Sequence, residues 1–274
     1  MLSRKRKVRS MSAYKNYGEN SENEKMETYQ LTRSKRKSLS IVIEKDGTIQ
    51  VKAPHWLPKY QIDQFIRQKT DWIEEKRSEF HTLQQKKPVH SFQEGDCFLI
   101  FGEAYRLVFE GSVGFQAGEK ESGDIERIEL DQKKKILVME AAHPEPHYVK
   151  KRLERWYLKC AKQIFPERVS FYYPMVTSLA KTIGKEIDSV NRITIRNQKT
   201  RWGSCSSKGN LNFNWRLLMA PAGILDYVVV HELCHLLYLN HSRQFWQAVE
   251  SILPDYQKRR NWLKANGMTL EWEE

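Results

Sequence analysis

His231-Glu232-Leu233-Cys234-His235, with His241 six residues further on, is the part of this chain whose residue types and spacing could do chemistry. On a helix, imidazoles four residues apart lie one turn apart on the same face, so both can reach one metal ion. Glu232, beside the first of them, is positioned as the general base for a water activated by that metal. A zinc site open for catalysis takes three protein ligands and keeps a fourth position for water or substrate. His241 is the third ligand if the helix stops between it and His235. Asn240 supplies the expected stop, because Asn tolerates the left-handed conformation that ends helices. Ser242 then caps the next helix. Cys234 lies near the ligand face, but beside three histidines it reads as core.

The elements that must position these groups flank them. Ile224 to Val230 runs into the motif as a largely apolar helix, and burial of that helix holds the ligands still. Upstream, Asn191 to Arg196 alternates as a strand. Asn210 to Leu217 alternates more strongly, with Leu211, Phe213, Trp215 and Leu217 on one face. A small sheet therefore precedes the metal helix, and the edge of such a sheet can take an extended peptide through backbone hydrogen bonds. Arg201 and Arg216, both ahead of the helix, are the candidate substrate or oxyanion donors. Downstream, a helix through Phe245, Trp246 and Val249 ends at Pro254, and a last helix near Tyr256 to Lys264 stops at Asn266-Gly267.

Thr200-Arg201-Trp202-Gly203-Ser204-Cys205-Ser206-Ser207-Lys208-Gly209, Asn212 to Pro221, and Asn240-His241-Ser242 with Phe245-Trp246 resemble the YgjP-like family, small bacterial proteins related to the SprT-type minimal zincins. The resemblance is densest over residues 191–270. Fainter echoes are Arg33-Ser34-Lys35-Arg36-Lys37, Ala53-Pro54, Trp72-Ile73 and Trp156-Tyr157. It implies a zincin-like minimal metallopeptidase domain built on the HExxH helix, with Zn²⁺ on His231, His235 and His241 and Glu232 as base. It also implies two substrate classes, since the family is grouped by fold with metallopeptidases while some members are described as nucleotide pyrophosphatases acting on UTP. Zinc chemistry serves either, by polarising a carbonyl or a phosphoryl oxygen. The expectation is a metallopeptidase. A third reading, a nucleic-acid-associated protein with a structural zinc site, requires a fourth protein ligand and has no use for Glu232.

The rest of the chain points to an α+β fold. Residues 1–27 are polar and read as a disordered basic tail. Residues 28–145 read as an N-terminal strand-rich α+β module, and 146–274 as the catalytic domain. In the module, Ser38 to Ile43 and Thr48 to Val51 flank Lys45-Asp46-Gly47, a hairpin signal. A helical pattern covers 60–84. Four strands follow, at Cys97 to Phe101, Tyr105 to Phe109, Ile125 to Leu130 and Ile136 to Met139. His143-Pro144-Glu145-Pro146-His147 reads as a boundary, its prolines denying its histidines a helical ligand geometry. A long helix follows, which Pro166 is expected to interrupt.

Composition narrows the function classes. Hydrophobic residues at 40% indicate a packed globular protein, and no run approaches a membrane span. Four cysteines without regular spacing, behind a charged start that lacks an apolar core, suggest reduced thiols and a cytoplasmic protein. The net charge is +12, and residues 1–37 hold eleven Lys/Arg against four Glu. With a second basic run from Lys150 to Arg168, this allows weak nucleic-acid binding beside a peptide or nucleotide substrate. For the tail the simpler reading of a solvated segment is preferred, because it lacks aromatic interleaving that would stack on bases.

Overall fold

In the computed structural model, which describes residues 28–44, 47–85, 87–110, 128–141, 145–198 and 200–272, the first sheet forms where the sequence alternates. The tail 1–27, two residues of the hairpin turn and His143-Pro144 lie outside the described residues. The chain is α+β and divides into two units between Lys86 and Lys87. In the N-terminal unit, β1 (Tyr29–Ser34) and β2 (Ser40–Ile43) flank β3 (Ile49–Pro54). The expected hairpin is present, with Ile43 opposite Ile49, and β1 adds a parallel partner to β3. Ile49, Val51 and Ala53 point to one face of β3 and are fully buried. Against them pack Ile62 and Ile66 of α1 (Lys59–Arg67) and Ile73 of α2 (Thr70–Gln85). The one helical pattern over 60–84 is thus two helices, split where the Thr70 hydroxyl bonds back to the Arg67 carbonyl. Arg33 donates to the carbonyls of Pro54, His55 and Leu57, which fastens the loop after β3.

The second unit begins with a four-stranded sheet in the order β4 (Cys97–Ile100), β5 (Glu103–Glu110), β7 (Ile136–Glu140), β6 (Ile128–Asp131). Its Phe98, Leu107, Leu137 and Met139 share one core with Val149, Leu153 and Tyr157 of α3 (Pro146–Thr182). The Tyr157 hydroxyl donates to the Leu99 carbonyl at 2.7 Å. The domain boundary expected at 145/146 therefore falls instead at 86/87, because this sheet has no separate core of its own. Pro146 marks a helix start, where its missing N–H costs nothing.

α3 also corrects the expectation at Pro166. The helix runs 37 residues through both Pro166 and Pro174. One continuous seam, Val149, Leu153, Tyr157, Ala161, Phe165, Val169, Tyr172, Val176 and Ala180, is buried along it. That burial offsets a cost of roughly 3 kcal/mol per interior proline. Arg168 on this helix grips Asp226 with two hydrogen bonds, at 2.7 and 2.9 Å.

A second, three-stranded sheet has the order β8 (Arg192–Arg196), β10 (Asn210–Asn214), β9 (Gly203–Cys205). Phe213 of β10 stacks on Phe165 of α3 at 4.6 Å, which seats the sheet on the helix. The strand expected to reach Leu217 stops at Asn214. There the Asn214 side chain accepts from the Arg216 N–H and starts a 3-10 turn, Trp215–Met219. That turn leads into α4 (Ala222–Cys234), followed by α5 (Arg243–Ile252) and α6 (Tyr256–Asn266). Gly102, in the left-handed region at φ 82°, packs against Pro221 so closely that a Cβ would lie 2.9 Å from the ring. The start of α4 is thereby fixed against the first sheet of this unit. Among the described residues no helix is long and apolar enough to cross a membrane, and all four cysteines are free thiols.

Candidate metal centre

Every residue of α4 from Tyr227 to Cys234 is buried, as an all-round apolar helix requires. The helix ends at Cys234, earlier than the sequence suggested. Leu236 and Leu237 donate to carbonyls three residues back, which tightens the chain and turns it. Lys185 donates to the Leu237 carbonyl at 2.9 Å, with its ammonium 3.6 Å from the Tyr238 ring centre. Asn240 is not among the residues with positive φ, so the stop does not rest on it. Orphan carbonyls at the helix end, satisfied by 3-10 bonds and a lysine, do that work instead. Ser242 does cap α5, accepting from the Phe245 N–H at 3.3 Å.

This turn brings His241 back over α4. The ligand atoms of His231, His235 and His241 all lie within 4.8 Å of one another. Nε2 of His231 and Nε2 of His241 are 2.9 Å apart. Nitrogens about 2.05 Å from a tetrahedral zinc stand about 3.3 Å apart, so the cluster is close to that scale. His235 donates from Nδ1 to the Tyr238 carbonyl at 3.0 Å, which fixes its tautomer and leaves the Nε2 lone pair for a metal. Phe245 stacks on His235 at 4.6 Å, and Trp246 on His241 at 5.5 Å. Burial pushes all three imidazoles below their ordinary range, His231 furthest, where His235, His241 and Arg260 add to the effect. Neutral imidazoles are the form that ligates. The donor set therefore fits a divalent transition metal.

Glu232 leaves α4 in a different direction, toward β9. Its carboxyl accepts from the Cys205 N–H, and Gly203 packs on it so closely that a Cβ there would lie 2.7 Å from both Cγ and Oε1. Burial raises its pKa to about 8, against the lowering effects of the Arg201 charge and that N–H. Arg201 is thus brought into electrostatic contact with the base. Arg216 is buried in the 3-10 turn, with its guanidinium over the Trp215 ring at 4.9 Å. Cys234 is fully buried, and burial pushes its thiol up to about 12, so it stays protonated core.

Four groups escaped the sequence reading. Gly203 and the Cys205 N–H carry no side-chain signal. Arg260 on α6 is one of an Arg259-Arg260 pair, and only the helix phase separates them: Arg259 pairs with Asp255 at 2.9 Å, while Arg260 lies over the Trp246 ring at 4.4 Å. Tyr227, one turn before His231 and edge-on to it at 5.8 Å, looked like one more apolar helix residue.

Three neutral imidazoles converging beside a buried carboxyl are the donor set of a metal-dependent hydrolase. A family model described as YgjP-like, metallopeptidase domain, matches residues 37–266, and the chain belongs to that family. No curated protein and no solved structure matches the chain significantly.

Proposed function

We propose that this protein is a zinc-dependent metallopeptidase in which Glu232 is the general base and β9 is the substrate-binding edge. The observation that carries the reading is the position of the Glu232 carboxyl against that edge. β9 is the outer strand of its sheet. Asn214 donates to the Trp202 carbonyl and Ser206 to the Asn210 carbonyl, so residues 202, 204 and 206 face β10. Gly203 and Cys205 then direct their backbone groups outward. Glu232 takes the Cys205 N–H. The Gly203 N–H and C=O can pair with an extended peptide, which would lay its backbone along the carboxyl.

His231, His235 and His241 would hold the zinc. Zinc held there would supply Lewis-acid polarisation of the scissile carbonyl and would lower the pKa of water so that hydroxide is available near neutral pH. Glu232 accepts the proton of the attacking water and delivers it to the leaving nitrogen, a role that the Cys205 N–H orients. Arg201 holds positive charge near the carboxylate in the state that accepts the proton. The nucleotide pyrophosphatase reading draws on the same centre, with Arg201 and Arg260 as phosphate partners. A purely structural zinc finds less support, because among the described residues the cluster has three potential ligands and no fourth.

Protein purified without chelator should carry one zinc per chain, and His231→Ala with His235→Ala should abolish it. Hydrolysis is assayed against unfolded proteins and a nucleotide panel. Glu232→Gln should retain the metal and lose about 10²–10⁴-fold in turnover. Undiminished hydrolysis by that variant rejects the mechanism, and cleavage of nucleotides alone rejects the peptidase.

A further inference from the structure

Two polar groups beside the histidines have no task in the peptidase scheme. Arg260 is always charged and offers five N–H donors. The arginines around it are committed: Arg168 to Asp226, and Arg259 to Asp255 and the Gly223 carbonyl. Arg260 has no carboxylate partner among the described residues. Its guanidinium lies over the face of Trp246, which in turn stacks on His241. Its charge nevertheless acts on His231, His241 and Tyr227. The second group is the Tyr227 hydroxyl. The residue is 2 % exposed, and its oxygen is buried without a hydrogen-bond partner among the described residues. A buried hydroxyl left unbonded is costly, and native structures seldom keep one without a hydrogen-bond partner.

Both groups border the metal centre, since Tyr227 is edge-on to His231 at 5.8 Å and the Trp246 ring that carries Arg260 lies 5.6 Å from His231. A guanidinium held on an aromatic face beside groups fit to bind a dication is electrostatically unfavourable unless an anion joins them. An orphan O–H nearby is a donor waiting for an acceptor. We propose that Arg260 and Tyr227 form an anion subsite next to the three histidines, which takes an anionic oxygen group of the substrate. Arg260 supplies the charge and the directional N–H donors, and Trp246 holds the guanidinium plane. Tyr227 supplies a single neutral donor from inside the core. The subsite rests on the hydrolase reading for its purpose, but its binding chemistry can be tested without catalysis.

The probe is inorganic phosphate, titrated by calorimetry into the full-length protein stripped of metal, so that no metal–phosphate bond contributes. Arg260→Gln should weaken phosphate binding at least about tenfold, and Tyr227→Phe about three- to tenfold. Tyr227→Phe removes an oxygen that makes no hydrogen bond, so it should melt no lower than wild type and guards against misfolding of the arginine variant. Both variants should bind zinc as wild type does. In the zinc-loaded enzyme, a fall in kcat at constant KM identifies the anion as charge that develops during reaction. A rise in KM at constant kcat identifies it as a permanent carboxylate or phosphate of the substrate. Either outcome supports the subsite. Phosphate binding that is absent in wild type, or unchanged in both variants, overturns it. Wild-type protein that takes up no zinc and hydrolyses nothing overturns the hydrolase instead, and the phosphate titration still decides for or against Arg260 and Tyr227.

Discussion

Glu232 should destabilise the metal-free protein, and its replacement by Gln should reveal by how much. The carboxyl is buried, with a pKa raised from 4.5 to about 8. Between those values the folded state keeps a proton that the unfolded state has lost. Stability must therefore fall as pH rises through that window, by about 1.4 kcal/mol per pH unit. Carried from 4.5 to about 8, the loss comes to about 5 kcal/mol, comparable with the whole stability of many domains. Glu232→Gln is nearly isosteric, keeps an acceptor for the Cys205 N–H and does not titrate. Any fixed cost of exchanging the carboxyl for an amide is the same at every pH. The quantity to read is thus the stability difference between variant and wild type, from denaturant unfolding with chelator present at about pH 4 to 9. It should be constant below about 4.5, grow in favour of the variant up to about 8 and then level off. The three histidines titrate in both proteins and largely cancel in the difference. Parallel curves across the window would show that the carboxyl ionises freely in the fold, and the buried-base geometry would be wrong.

Gly203→Ala places a Cβ 2.7 Å from the Glu232 carboxyl, where ordinary contact begins at 3.4 Å, so the base must retreat by most of an ångström. Turnover should fall about 10²-fold with zinc content unchanged, and activity within a few-fold of wild type in a folded, loaded variant would refute the close packing. Asp226→Asn breaks the two-bond grip of Arg168 that ties α4 to α3. With Arg168 one-third exposed, the expected loss is about 1–2 kcal/mol, read as a lower unfolding midpoint at constant denaturant slope.

Local periodicity carried the elements, and long-range contact carried the rest. The hairpin of β2 and β3, the four strands from Cys97 onward and the helices α5 and α6 were all legible, because each has its own apolar period and its own stop. The parallel pairing of β1 with β3 was not, since no local pattern records which distant strand becomes the partner. Pro166 misled because its cost is local, whereas the seam that overrides it is spread along α3. At the site, His231, Glu232, His235 and His241 announced themselves by residue type and spacing. Arg201 and Arg216 were indistinguishable in sequence, and only the 3-10 turn at Asn214 sends one into the core beside Trp215 while the other stays near Glu232. Gly203 contributes an absent side chain and Cys205 a backbone N–H, and neither has a residue-type signature.

The electrostatics of the centre share one direction. Burial raises Glu232 and lowers His231, His235 and His241, so each titratable group at the centre is driven toward its uncharged form. A helix as apolar as α4 can carry polar side chains of this kind only on that condition, since buried charge without a partner is prohibitively costly. The same burial makes the centre responsive. In a low-dielectric pocket a dication would interact far more strongly with a carboxylate than it could in water. Glu232 would then ionise well below the value it holds in the metal-free fold, and become a base only when there is a metal to serve. The arginines extend the argument to the rim. Arg201 favours the ionised carboxylate, while Arg260 opposes further positive charge on the histidines and awaits an anion. A cation inside the cluster and an anion beside it are the two charges this arrangement lacks, and a hydrolytic transition state on a metal supplies both.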